Sequence, residues 1–273
     1  PKKVFNKSTL KSDINALSEL YYNNGYALVS VNPEVVPDEE SRLVRVLYRI
    51  NEGDKFRVGR IEITGNIKTE DKVIRREMRL DEGDVFSGSA LKRSYERLNN
   101  LQYFEPVEII PKPRTEDKVV DIDIKVKEKP TGFLSVGGGY SSIDKLIGMV
   151  DITQGNFLGK GYYLKARGEL GGVSSFYELS FRNPYFMDKP ISLGISVYRT
   201  KREYADFTRR STGFEVSFGR SFWEYWGASI AYNLERTNIY NISETASSVI
   251  KEQEGSTLTS SVSLSIALSL IHI

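Results

Sequence analysis

The 273 residues carry 38 Lys and Arg against 36 Asp and Glu, a formal net charge of +2, and no cysteine. Near-neutrality provides no basic stripe for nucleic acid, and the lack of cysteine removes disulfides, thiolate catalysis and thiolate metal sites together. With 40% apolar residues but no unbroken apolar run of eighteen, a helical membrane span is excluded, whereas alternating barrel strands are not.

The chain opens at Pro1 with no initiator methionine or apolar leader, and an internal start is expected. Ser8 or Thr9 caps a predicted helix whose apolar residues Leu10, Ile14, Leu17 and Tyr21 share one face, and Asn24-Gly25 stops it. Tyr26 to Val31 reads as a strand, Pro33 to Glu40 as a turn region and Leu43 to Ile50 as a second strand. A fuller module follows. A strand through Val58, Ile61 and Ile63 ends at Thr64-Gly65-Asn66, and a helix is predicted from Glu70 to Met78. A second helix opens at Ser87 or Ser89 with Leu91, Tyr95 and Leu98 on one face. Phe104 to Ile110 gives a strand, and Val120, Ile122, Ile124 and Val126 alternate with Asp121, Asp123, Lys125 and Lys127 across another. The order strand, helix, helix, strand, strand makes a sheet with one face under two helices, and the opening segment reads as a truncated copy of it.

After Pro130 charge thins and glycine, serine and aromatics thicken. Eight strands are expected, roughly 132–141, 145–153, 161–170, 174–183, 191–200, 212–220, 225–236 and 257–270. Leu164, Leu179, Leu193 and Ile230 mark the apolar sides, with Lys165, Glu178 and Glu235 opposite. Runs of about ten residues cross a bilayer when tilted. Phe157, Tyr162, Tyr163, Tyr185, Phe186, Phe222, Trp223 and Tyr225 cluster near run ends, where an interfacial girdle sits. The polar stretch Thr237 to Ser256 suits an external loop. A closed eight-stranded barrel and an open, cut sheet are equally natural outcomes.

Chemistry-bearing constellations are few. The one histidine, His272, has no partner for a triad or metal site, and neither enzymatic activity nor a cofactor is expected. Asp121 and Asp123 read as the wet face of a strand. Gly137-Gly138-Gly139 has neither a following helix nor a Lys-Ser/Thr pair, so it is no phosphate loop. Its glycines either make room for neighbouring aromatics or, by forgoing cross-strand side-chain pairs, leave a seam that opens easily. Arg75, Arg76, Glu77, Arg79, Asp81 and Glu82 form a dense charged patch, either plain solvated surface or a docking face.

These residues resemble the Omp85 superfamily, on its outer-membrane assembly-factor branch. Phe56 to Ile61, Gly65-Asn66, Arg75 to Arg79, Glu82-Gly83, Glu96 to Leu98 and Tyr103-Phe104 resemble the last POTRA domain, and Tyr21-Tyr22 with Gly25-Tyr26 the second half of the preceding one. Lys127-Glu128-Lys129 stands at the link to the barrel. Gly137 to Tyr140, Gln154 to Gly161 and Phe181 to Phe186 resemble the first barrel strand and the next two periplasmic turns. The resemblance implies α+β POTRA modules, 1–53 (partial) and 54–129, followed at 130–273 by the N-terminal half of a transmembrane antiparallel barrel of about sixteen strands. It implies a bacterial outer-membrane location with the modules in the periplasm, unfolded β-barrel clients, periplasmic lipoprotein partners of the assembly machine, and outer-membrane lipid. Arg75 and Glu82 match lipoprotein-contacting positions, and Phe133, Ser135, Val136, Gly137, Gly138, Gly139 and Tyr140 match a lateral gate strand. The family's Val-Arg-Gly-Phe loop motif is absent, which implies that the chain alone is no insertase. Alternatives are a TamA-like assembly factor, a two-partner secretion transporter, or a passive porin-like barrel, the last having no use for the modules.

Overall fold

The computed structural model describes residues 5–38, 43–222 and 226–268. It divides into two compact units, Pro1–Lys129 and Pro130–Ile273.

The first unit opens with α1 (Lys7–Tyr22), capped not by Ser8 or Thr9 but by Asn6, whose side-chain oxygen accepts the Ser8 N–H at 2.8 Å. Leu10, Ile14, Leu17 and Tyr21 are only half-buried; the two strands of this segment, β1 (Ser30–Asp38) and β2 (Leu43–Asn51), pair among the described residues with each other alone. The expected strand at Tyr26 and turn at Pro33 are corrected: Tyr26 to Val29 turn, and β1 runs through Pro33 and Pro37. Prolines four apart put both missing N–H groups on the same side of a strand, away from β2, where no ladder bond is lost. Residues 39 and 40 of the expected turn lie outside the described residues.

The second module comprises β3 (Arg57–Thr64), α2 (Asp71–Arg75), α3 (Gly88–Asn100), β4 (Glu108–Arg114) and β5 (Val119–Lys125), in sheet order β3-β5-β4 with β3 parallel to β5. The helix expected to reach Met78 stops at Arg75, because the Glu77 and Met78 amides donate to carbonyls only three residues back. On α3 the inward residues are Ser94 and Leu98, while Tyr95 is exposed. Ser94 tolerates complete burial because its hydroxyl donates to the Ala90 carbonyl and accepts the Arg79 N–H. The strand expected from Phe104 begins only at Glu108, and Phe104 instead enters the core and bridges Glu128. Phe56, Ile74, Phe86, Leu98, Val120, Ile122 and Ile124 fill that core, each side chain worth about 1.5–3 kcal/mol of burial. On the wet face of β5, Asp121 pairs with Arg114 at 2.9 Å and Asp123 with Lys112.

Two local devices tie this unit together. The Tyr22 ring stands edge-on to Phe86 at 5.0 Å, in space left by Gly88, where an added Cβ would come within 1.9 Å of the ring. The Glu128 carboxylate accepts the Lys68 and Thr69 amides at 3.0 and 2.7 Å, clasping the loop that precedes α2. Burial alone raises the Glu128 pKa, but hydrogen bonds from Thr69 and Lys68 outweigh it and hold the group below the usual carboxylate range.

The second unit is an antiparallel meander of eight strands: β6 (Gly132–Ser141), β7 (Lys145–Phe157), β8 (Tyr162–Leu170), β9 (Ser174–Asn183), β10 (Ile191–Glu203), β11 (Thr208–Phe222), β12 (Trp226–Tyr240) and β13 (Gly255–Leu268). Each pairs with the next, and among the described residues β6 and β13 end the ladder without meeting. A closed eight-stranded barrel is therefore not what the described residues form. Strands β10 to β12 outrun their expected lengths, so the loop expected over 237–256 shrinks to 241–254, with α4 (Ser248–Glu252) inside it. Trp223, Tyr225, Leu270 and His272 lie outside the described residues.

Candidate functional site

Register makes the large sheet two-faced. Leu164, Phe181, Ile195, Val216, Tyr232 and Val262 lie in one row across six strands, and Lys165, Ser180, Ser196, Glu215, Asn233 and Ser261 form the adjacent row on the opposite face. The apolar face is the more open one. Leu134, Leu179 and Ile230 are 68%, 49% and 49% exposed, while the side chains of Asp151, Lys165 and Glu235 keep only 25%, 28% and 24%. Leu164 and Leu193 are half-buried rather than buried, so none of these leucines sits in a dry interior. The sheet thus turns its polar, charged side inward and its hydrocarbon side out, the reverse of a water-soluble sandwich and the arrangement of a wall facing lipid. Aromatics gather at one end: Phe157 pairs with Tyr162, whose ring meets Phe181 at 5.3 Å, and Phe186 meets Phe218 at 6.1 Å.

β6 has one edge paired along its whole length with β7, from Gly132↔Gln154 to Ser141↔Lys145, and its other edge unpaired among the described residues. Phe133, Ser135, Gly137 and Gly139 fall on the polar side, and Val136 and Tyr140 on the apolar side. Among the described residues no aromatic ring is the nearest neighbour of an added Cβ at these glycines. A Cβ at Gly137 would meet the flexible Met149 side chain at 2.8 Å, one at Gly138 a carbonyl at 3.4 Å, and one at Gly139 nothing within 4 Å. Residues 137–139 of β6 thus present backbone without side chains.

Arg75 and Glu82 come together on the outer edge of β3. Arg75 Nη2 donates to the Ile61 carbonyl at 3.0 Å, Glu82 Oε1 accepts the Ile61 N–H at 3.0 Å, and the two side chains approach to 3.8 Å. With Ile61, Met78, Leu80 and Asp81 they line an open depression of about 230 Å³. Both remain about half exposed, so they blunt the edge strand and still offer charge to a partner.

One cluster escaped the sequence analysis. The Tyr198 ring crosses Gly213, directly opposite on β11, where an added Cβ would lie 2.3 Å away, and reaches β12 to donate to Glu235 at 2.8 Å. Its only sequence signal was a glycine inside an alternating strand. Among the described residues no group of three or more His, Asp or Glu is placed to hold a metal ion.

The family model described as "Omp85 superfamily domain" matches residues 156–271, and the POTRA model, "Surface antigen variable number repeat", matches 1–53 and 56–129. The outer membrane protein assembly factor BamA of Nitratidesulfovibrio vulgaris is 34% identical over 256 residues, covering 94% of this chain and 32% of that protein. The BamA of Neorickettsia risticii is 30% identical, covering 97% and 36%. The crystal structure of Haemophilus ducreyi BamA lacking POTRA domains 1–3 superposes with a TM-score of 0.80 at 26% identity, covering 97% of this chain and 53% of that one. The chain belongs to the Omp85 superfamily. It is BamA-like, an outer-membrane protein with periplasmic POTRA modules, and it spans about a third of the length of the curated relatives it matches.

The Omp85 motifs now have physical content. In Gln154 to Gly161 the hairpin needs left-handed backbone at Asn156, Leu158, Gly159 and Gly161, and Asn156 steadies it by accepting the Gly161 N–H at 2.9 Å. In Phe181 to Phe186, Asn183 accepts the Tyr185 N–H at 3.0 Å across Pro184.

Proposed function

We propose that this chain is the membrane-proximal part of a bacterial factor that assembles and inserts β-barrel proteins into the outer membrane. In this reading residues 1–53 are the C-terminal part of the penultimate POTRA domain, 54–129 the last POTRA domain, and 130–273 the N-terminal half of a barrel of about sixteen strands. The carrying observation is the two-faced sheet, whose apolar side is the more exposed and whose first strand, β6, contains three consecutive glycines. When the seam between β6 and its closing neighbour parts, the β6 edge offers sequence-tolerant backbone hydrogen bonds to an incoming strand, and the missing side chains at Gly137 to Gly139 weaken that seam. Phe133, Ser135, Val136, Gly137, Gly138, Gly139 and Tyr140 then form a lateral gate. The role is non-catalytic: a client's own burial of apolar surface and closure of its backbone hydrogen bonds drive insertion without nucleotide.

The test is a disulfide between Ser135→Cys and a cysteine on the strand that closes the barrel in the complete protein. Oxidation is expected to abolish client insertion into lipid vesicles and reduction to restore it; insertion at the same rate in both states rejects the gate. For the docking face, Arg75 and Glu82 are proposed to bind a periplasmic lipoprotein. Arg75→Glu is expected to weaken that binding about tenfold, read by pull-down titration, and unchanged affinity removes the assignment.

A further inference from the structure

On the outward face of β10, β11 and β12 the apolar rows end abruptly. Val197, Phe214 and Leu234 lie side by side, and two residues further along each strand the next row is Arg199, Thr212 and Arg236. The row after that is Lys201, Arg210 and Asn238. Side chains alternate along a strand, so all six share the outward face with the apolar rows. With neighbouring strands about 5 Å apart, Arg199 and Arg236 flank Thr212 and Arg210 stands behind it. This is the end of the sheet remote from the start of β6, beside the connections at 204–207 and 241–254.

The charges there are unbalanced. The Lys201 ammonium is taken by Glu203 at 2.5 Å. Arg210 donates through Nη2 to the Tyr240 hydroxyl at 2.9 Å and lies 5.1 Å over that ring, yet its Nε is buried with no acceptor. Arg199 and Arg236 are exposed, and among the described residues neither has a side-chain partner. Glu235, adjacent in sequence to Arg236, points to the opposite face, where Tyr198 and Arg209 occupy it. Lys201 and Arg210 stand directly opposite one another, a like-charge pairing that weakens a sheet. A surface needing only solubility mixes both signs.

We infer that Arg199, Arg210 and Arg236, with the Thr212 hydroxyl between them, bind the phosphate headgroup of an anionic lipid whose acyl chains lie along Val197, Phe214 and Leu234. Guanidinium forks match phosphate oxygens in geometry as well as charge. Hydrocarbon immediately beside the cations fits an amphiphile, whereas a nucleic acid or an acidic protein has no use for it. Tyr177 and Tyr240, near the same boundary, are the amphipathic residues such an interface favours. The inference rests on the proposed lipid contact of the apolar face and adds to it a chosen lipid and its residues.

The experiment places the complete protein in phosphatidylcholine nanodiscs doped with phosphatidic acid and measures retained phosphatidic acid by native mass spectrometry across a titration. Arg199→Gln/Arg236→Gln removes no intramolecular bond and is expected to keep its folded, heat-modifiable gel mobility. It should bind phosphatidic acid at least about tenfold more weakly. Arg182→Gln, on the polar face, should bind like the parent. Equal affinity of the double variant and the parent overturns the inference. So does displacement of the lipid by an equal concentration of inorganic phosphate, which marks a site for free anions. A parent protein that does not enter phosphatidylcholine nanodiscs at all overturns the membrane reading itself, whereas entry without preference for phosphatidic acid overturns this inference alone.

Discussion

Ile195→Arg is expected to lower the stability of the membrane-inserted protein by about 2–4 kcal/mol, the cost of a cation near the middle of a barrel's lipid face, whereas Ser196→Arg should change it by less than about 0.5 kcal/mol. The two residues are neighbours on β10 and lie on opposite faces of the sheet. Ile195 sits in the row of Leu164, Phe181, Val216, Tyr232 and Val262, which contains no acid. Ser196 faces Glu215 across the ladder, so an arginine there gains a partner on the wet side. Guanidinium unfolding of the complete protein from phosphatidylcholine vesicles, followed by tryptophan fluorescence, gives both values. Equal costs at the two positions would mean that both faces meet the same medium, and the lipid assignment would go with that result.

Gly65→Ala should open the second module locally by about 3 kcal/mol, combining the strain of a left-handed non-glycine residue with overpacking. Gly65 has φ +92°, and an added Cβ would lie 1.9 Å from the Val126 carbonyl oxygen. That oxygen belongs to backbone held in place, since the Val126 amide donates to Thr64 at 2.9 Å and its side chain is in the core. Nothing flexible is available to yield. Gly83 supplies the control, with φ +95° and nothing within 4 Å of an added Cβ, so Gly83→Ala bears the strain of about 1–2 kcal/mol without the collision. Amide hydrogen exchange along β3 and β5 distinguishes them. Matching exchange rates in the two variants would show that the close approach at Gly65 carries no energetic weight.

Much of the architecture was legible because it rests on periods of two and of about 3.6 residues. Val120, Ile122, Ile124 and Val126 had to face one way on any extended backbone, and Leu193, Ile195 and Val197 likewise. The errors fell where a short-range rule competed with a partner distant in sequence. Pro33 and Pro37 signal a turn locally, yet lie in β1 because its far edge asks for no N–H. Tyr95 follows the helical spacing, yet Ser94 takes the buried place because Arg79 and Ala90 satisfy its hydroxyl.

By itself the sequence determined the class of most elements, the two-faced character of the strands after Pro130, and the absence of thiolate chemistry, all of which depend on residue type and spacing along one chain. Only the tertiary structure decided that Arg75 and Glu82 meet over Ile61, that Tyr198 crosses Gly213 to reach Glu235, and that Arg199, Arg210 and Arg236 gather on one patch. Those juxtapositions follow from ladder register, which adds a lateral neighbour every few ångströms from residues many positions away, and no periodicity within a single strand encodes which neighbour that will be.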